Sequence, residues 1–377
     1  MQKRERYAWV LCAILAVSTI FLAIKSYGRP SAANPQEETA QAASSAAPAA
    51  EANPYEFLFS GTAWQLSAES QSLMMQAFTD AREKIDLYKS YCDDASNTEY
   101  SYEADEAGMK YMTHQGKRIA IITDIDDTLV DGAHYTANII GKNGDFNNAA
   151  FARFLLSPDL QALPGAVEFI NYCTDNGVEV FYCTNRSDRG YKIGQSDSQG
   201  SYESVVGSGK GQFLDKDGNV TATTLYQIYS RSMFDITLET MKRLGFPIDD
   251  QHLIENDNVL NGASKEPARQ AIINGAENYP NGQRKDGNET GSATEVTLQA
   301  HDVVLLMGDN IRDFTDDFSA SDLDAVTRAA LASQYQDKWG TEWIVLPNAV
   351  YGDSMNYAMA YGFEELFNAY DYTNTMN

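Results

Sequence analysis

Four short apolar runs, all containing Val or Ile in quantity, constrain the fold of this chain more than any other feature. They are residues 118–123 (RIAIIT), 178–184 (VEVFYCT), 303–307 (VVLLM) and 343–346 (WIVL). None keeps a strict apolar-polar alternation, so each reads as a strand buried on both faces. Helical patterns lie between them at 151–156, 165–176 and 235–244, the last ending at Gly245. Strands of this kind alternating with helices predict an α/β fold with a parallel sheet flanked by helices. Such sheets bind ligands at the carboxyl ends of their strands.

The remainder of the chain divides by composition. Lys3, Arg4 and Arg6 precede an apolar run at 7–24, the pattern of an export signal. That run is also long enough to span a bilayer, so 1–28 reads as a signal peptide or a signal anchor. Residues 29–54 are Ala-, Ser-, Pro-, Gln- and Glu-rich and predict a disordered linker. Folded sequence is expected from about Tyr55, with a helical segment at 55–114 and the main domain at 115–377. Within the first, Met74, Phe78, Ala81, Ile85 and Tyr88 recur at helical spacing, and Ser67 or Ser70 can cap that helix. Two polar stretches, near 190–234 and 274–297, read as insertions, the first with a turn at Asp217-Gly218.

Charge and cysteines exclude some functions. A net charge of −25 opposes binding to a nucleic-acid backbone, so no nucleic-acid partner is expected. An acidic protein that handles phosphate still needs a local positive site from a metal, a Lys or backbone N–H groups. The four cysteines, Cys12, Cys92, Cys173 and Cys183, show no zinc-site spacing. Export permits a disulfide among the last three, although Cys183 reads as a small buried apolar residue. No glycine-rich phosphate loop or dinucleotide fingerprint follows a strand.

The chemistry stands at the strand ends. Asp124-Ile125-Asp126-Asp127-Thr128 follows the first run, Thr184-Asn185-Arg186 closes the second, and Gly308-Asp309-Asn310-Ile311-Arg312-Asp313-Phe314 follows the third. Ser264-Lys265-Glu266 lies between the last two. Two carboxylates at i and i+2 after a strand can share one pocket, Asp124 attacking phosphorus and Asp126 protonating the leaving oxygen. Asp309, from another strand, can complete an oxygen-rich magnesium site with Asp124. Asp313 can touch that metal, support it or cap the turn. Lys265 and Thr184 can stabilise the transferring oxygens. Asn185 fits either a turn or a substrate contact, and His134 reads as a packing or surface histidine.

Together, DIDDT at 124–128, TNR at 184–186, SKEPAR at 264–269 and GDNIRDF at 308–314 resemble the haloacid dehalogenase (HAD) superfamily of phosphohydrolases. More narrowly they resemble the class C acid phosphatases, the bacterial outer-membrane lipoprotein 5′-nucleotidase group. WQLSAES at 64–70, LPGAVEFINY at 163–172, LETMKRLGFP at 238–247 and WIVLPNAVYGD at 343–353 extend the likeness over about 60–355, outside the insertions. The resemblance implies a HAD-like Rossmannoid core with a smaller helical cap, to which 55–114 contributes. It implies Asp124 as nucleophile, Asp126 as general acid and then base, and Mg2+ held by Asp124, the Asp126 carbonyl and Asp309, with Asp313 in support. Thr184, Asn185 and Lys265 would bind phosphate, and Phe151 and Tyr351 would sandwich a nucleotide base. The expected protein is an exported acid phosphatase acting on a small phosphate monoester, in particular a nucleotide, with anchoring through 7–24 and a homodimer as further implications. A HAD phosphatase for sugar phosphates, a phosphotransferase, and a non-catalytic surface protein are the alternatives. The lipoprotein members carry a Cys just after the signal and often a larger aromatic at the Phe151 position; this chain has neither.

Overall fold

The computed structural model describes residues 58–142, 148–186, 191–196, 201–205, 211–214, 225–231, 233–255, 264–281, 294–319 and 325–352. They fall in one compact unit, Ala52–Asn377. The N-terminal segment and linker expected at 1–54 and the turn expected at Asp217-Gly218 lie outside the described residues.

Helix α1 (Leu58–Gln65) leads into α2 (Ala68–Asp93). The stripe Met74, Phe78, Ala81 and Ile85 is buried, which is why this stretch is helical. Ser67 is the N-cap, its side chain accepting the Ser70 N–H at 3.2 Å, while Ser70 is buried in the first turn. Strands β1 (Tyr100–Ala104) and β2 (Lys110–His114) form a hairpin. A two-residue turn then leads into β3 (Lys117–Thr123), with Gln115 at φ 50° and Gly116 at φ 79°. Both positive φ values match the twist of a tight hairpin.

The βα repeat follows. Helices α3 (Ala133–Lys142), α4 (Asn148–Leu155) and α5 (Ala166–Asp175) precede β4 (Glu179–Thr184). The stretch near 190–234, read only as a polar insertion, carries β5 (Tyr191–Ser196), β6 (Ser201–Val205), β7 (Gly211–Leu214) and β8 (Leu225–Arg231). These pair antiparallel in the order β7-β6-β5-β8. Then come α6 (Met233–Leu244), the short β9 (Leu253–Glu255) and α7 (Glu266–Asn274). The second polar stretch holds a hairpin of β10 (Ala276–Asn281) and β11 (Thr294–Leu298). Strand β12 (Asp302–Gly308), helix α8 (Ala325–Gln334) and strand β13 (Trp343–Val345) complete the described elements.

The parallel strands lie in the order β9-β4-β3-β12-β13. The first strand of the repeat is thus central and the chain reverses direction across the sheet between β3 and β12, the switch point where such sheets bind ligands. The continuous apolar runs have a direct cause. On β3, Ile119 and Ile121 pack with Phe78, Ile85 and Phe169 from the helices on one face. Ala120 and Ile122 pack with Ile254, Ala268 and Ile272 on the other. Side chains alternate across a strand, so a strand covered twice is apolar at every position. Cys92, Cys173 and Cys183 are free thiols, the last two buried.

Candidate active site

The end of β3 is tied to its neighbour. The Asp124 N–H donates to Met307 O at 2.9 Å, and the Leu346 N–H to Gly308 O at 2.8 Å, so three strand ends lie together. Beyond Asp124 the chain closes a tight loop. The N–H groups of Leu129 and Val130 both reach Ile125 O, at 2.8 and 3.0 Å, and Asp127 takes a positive φ of 52°. Asp127 is buried and accepts the Gly132 N–H at 3.0 Å. This third aspartate of the motif holds the loop.

Asp124, Asp309 and Asp313 converge, with one ligand atom of each within 4.8 Å of the others. Lys265, only 4% exposed, donates to Asp124 Oδ1 at 2.5 Å and to Asp313 Oδ1 at 2.6 Å. Burial alone would lower the Lys265 pKa, but the two carboxylates overcome it and hold the ammonium above its ordinary value. Asp124 is pushed up to about 6, by burial first and by Asp313 and Asp126, against the pull of Lys265. Asp309 is pushed well above the usual carboxylate range by burial and by Asp124, Asp313 and Asp127. Its oxygens accept from neutral groups, Thr128 Oγ1 at 3.1 Å and Asn348 Nδ2 at 2.6 Å. Asp313 also accepts the Asn310 N–H at 2.9 Å, and a Cβ at Gly308 would overlap its carboxylate. Arg269 braces the same turn from α7, donating to Arg312 O and Asp313 O at 3.1 and 2.9 Å.

Oxygen donors crowded this closely, with Asp124 and Asp309 raised by burial and by neighbouring carboxylates, are what a hard divalent cation stabilises. Asp124, Asp309 and Asp313 therefore fit such an ion.

Asp126 stands apart from that cluster. Both its side-chain oxygens accept from Arg186, Oδ1 from Nη2 at 2.7 Å and Oδ2 from Nε at 3.0 Å. Arg186 is buried, and its third donor, Nη1, reaches Thr237 Oγ1 at 3.0 Å. A buried guanidinium needs a carboxylate, and the fork of Arg matches one bidentately. Thr184 is buried at the end of β4 and its hydroxyl accepts the Arg186 N–H at 3.2 Å, while Asn185 is exposed.

Phe151 is half-buried, with its ring 5.1 Å from that of Tyr135 and 5.9 Å from the Arg186 guanidinium carbon. Tyr351 is 39% exposed, and its hydroxyl donates to the Asp126 carbonyl at 3.0 Å. His134 is a surface histidine beside Asp131, at 3.6 Å.

The structure thus gathers Asp124, Lys265, Asp309 and Asp313 into one cluster and sets Asp126, Thr184, Phe151 and Tyr351 around Arg186 and the Asp126 backbone. Arg186, Thr128 and Asn348 carry site contacts that motif reading leaves without a role. Arg186 stood beside Thr184 and Asn185 in the quoted motif, and a cation directly after the strand-end Thr-Asn is the signal that marks it. Nothing local marks Asn348.

Carboxylates around one buried lysine, at the switch point of a sheet with this order, define a chemistry suited to a divalent cation and an oxyanion. The comparisons with known proteins narrow it. Residues 49–198 match the family model described as HAD superfamily, subfamily IIIB (Acid phosphatase). The class C acid phosphatase from Bacillus anthracis has a similar structure, with a TM-score of 0.52 and 19% identity over 83% of this chain and 92% of that one. The same enzyme with tungstate bound matches with the same TM-score of 0.52 and 19% identity. The family model matches the segment that carries Asp124, Asp126 and Thr184–Arg186, and the likeness to the solved structures is one of fold.

Proposed function

We propose that the chain is an exported, magnesium-dependent acid phosphatase that hydrolyses nucleoside monophosphates through an aspartyl-phosphate on Asp124. One observation carries the reading: carboxylates distant in sequence, Asp124, Asp309 and Asp313, meet at the switch point beside Lys265. Asp124 is held by Lys265 on Oδ1 and attacks phosphorus as the bond to the leaving oxygen breaks. Asp126 gives that oxygen its proton, then takes a proton from the water that hydrolyses the acyl phosphate. Its oxygens both accept from Arg186 in this structure, so that pair opens before Asp126 donates. Lys265, Thr184 and Asn185 bind the phosphate oxygens, and positioning with electrostatics carries most of the acceleration. When bound, Mg2+ on Asp124, Asp309 and the Asp126 carbonyl, backed by Asp313, neutralises the repulsion between nucleophile and substrate.

Two aromatic residues support a nucleotide substrate. Tyr351 reaches Asp126 through its hydroxyl and Phe151 through the Arg186 that grips Asp126. Aromatic rings therefore flank the group that handles the leaving oxygen, where a nucleoside would stand. Stacking on such rings accepts any base. The tungstate of the Bacillus anthracis enzyme is a tetrahedral oxyanion like phosphate, and the same chemistry is proposed for the Lys265 side of this site. Export rests on the basic flank and apolar run at 7–24, with retention of that run as the anchoring alternative. Among the described residues no helix is long and apolar enough to cross a membrane. The homodimer implied by the resemblance is read by light scattering.

The test is hydrolysis of an aryl phosphate with magnesium and with a chelator. Asp124→Asn is expected to abolish turnover, and Asp126→Asn to lower it by roughly 10²–10⁴-fold. Near wild-type turnover in either variant, or in chelator, rejects the mechanism. Phe151→Ala and Tyr351→Ala should reduce kcat/KM for nucleoside monophosphates by about tenfold more than for aryl phosphates, the size of one lost stack. An equal loss on both substrates rejects base stacking.

A further inference from the structure

We infer that Gln65, at the end of α1, is a positioning residue for the cation site and acts on it through the 347–351 loop. This rests on the reading of Asp309 as a cation ligand. Gln65 is 2% exposed and more than 280 residues from its partners in sequence. Its Nε2 donates to Pro347 O at 2.8 Å, and its Oε1 accepts the Ala349 N–H at 3.4 Å. One amide thus grips the backbone on both sides of Asn348. Gly61, one turn earlier on α1, lets the helix come that close, since a Cβ there would overlap the Ala349 carbonyl.

The residue between the two gripped positions serves the site. Asn348 Nδ2 donates to Asp309 Oδ2 at 2.6 Å. Its own Oδ1 accepts the N–H groups of Val350 and Tyr351, at 2.8 and 3.3 Å, which fixes the amide's orientation. The loop then ends on Tyr351, whose hydroxyl donates to the Asp126 carbonyl at 3.0 Å. A loop held at its base by α1 therefore reaches two of the groups assigned to the cation, the Asp309 carboxylate and the Asp126 carbonyl. Groups that orient metal ligands set metal affinity, commonly by factors of ten or more. The WQLSAES segment, which carries Gln65, acquires a role in this way: it anchors the loop that aims Asp309.

The experiment measures Mg2+ binding to the full-length protein by isothermal titration, without substrate. Gln65→Met, which keeps the shape and loses both bonds, is expected to weaken binding by about tenfold, as is Asn348→Ala. The double variant should bind no more weakly than Asn348→Ala alone, because both act through one loop. Gln65→Glu keeps the acceptor for Ala349 and loses the donor to Pro347, so a smaller loss is expected; it serves if the Met variant does not fold. Wild-type affinity in Gln65→Met, or losses that add in the double variant, overturns the proposal. Asp309→Asn separates the two readings. If it abolishes binding while the Gln65 variants bind normally, the positioning role fails and the cation site stands. If it binds as wild type, the cation reading fails and the proposal with it.

Discussion

Lys265 sits where burial and charge work against each other. An isolated ammonium in that position would lose its proton; Asp124 at 2.5 Å and Asp313 at 2.6 Å keep it. The converse also holds, since the two carboxylates depend on the lysine. Lys265→Met leaves them buried together with no cation between them, and the metal-free protein is expected to lose roughly 3–5 kcal/mol in urea unfolding. Excess magnesium should recover part of that loss, because a ligand that binds only the folded state stabilises it. A Lys265→Met protein as stable as wild type without metal would show that the carboxylates do not need their counter-charge.

Elements end at positions set by single residues. Helix α2 begins where Ser67 satisfies the Ser70 N–H, so Ser67→Ala is expected to cost about 1 kcal/mol in thermal unfolding and leave phosphate hydrolysis unchanged. No loss of stability would mean that packing of the Met74–Ile85 stripe alone holds the first turn. Strand β12 ends on Gly308, against which the Asp313 carboxylate is packed. Gly308→Ala forces that carboxylate aside, with an expected loss of roughly 1–3 kcal/mol and a fall in turnover. Unchanged turnover would separate the Asp313 position from the chemistry.

Across the whole molecule the two ends of the sheet do different work. The carboxyl end carries the carboxylates of the site. The amino end carries an ion cluster: Glu179, at the start of β4, meets Arg118 at 3.0 Å, His301 at 2.6 Å and His252 at 3.9 Å. His252 also meets Asp249 at 2.7 Å. Burial would lower its pKa, but Asp249 and Glu179 raise it from 6.5 to about 9. The folded-state value lies above the unfolded one, so protonated His252 stabilises the fold. That contribution is complete below pH 6.5 and is lost as pH rises through about 9. Its size is roughly 3 kcal/mol at most. Urea midpoints of the wild type should fall over this range by more than those of His252→Gln. Parallel pH curves for the two proteins would remove His252 from the account.

The amino-acid sequence by itself determined the α/β class, four strands of the central sheet and the polar clusters that stand at their ends. These depend on local pattern: apolar runs mark strands, helical spacing marks α2, and polar clusters at strand ends mark the site. Strands β1–β2, inside the stretch expected to be helical, and β5–β8 and β10–β11 escaped because they mix polar with apolar residues and none shows a continuous apolar run, and β9 because Leu253–Glu255 is too short to show a period. Only the tertiary structure decided that Asp126 pairs with Arg186, that Asn348 aims at Asp309 and that Gln65 grips the loop at 347–349. Each of these bonds joins residues 39 or more positions apart. Such contacts follow from strand order and side-chain direction, which a local pattern does not contain.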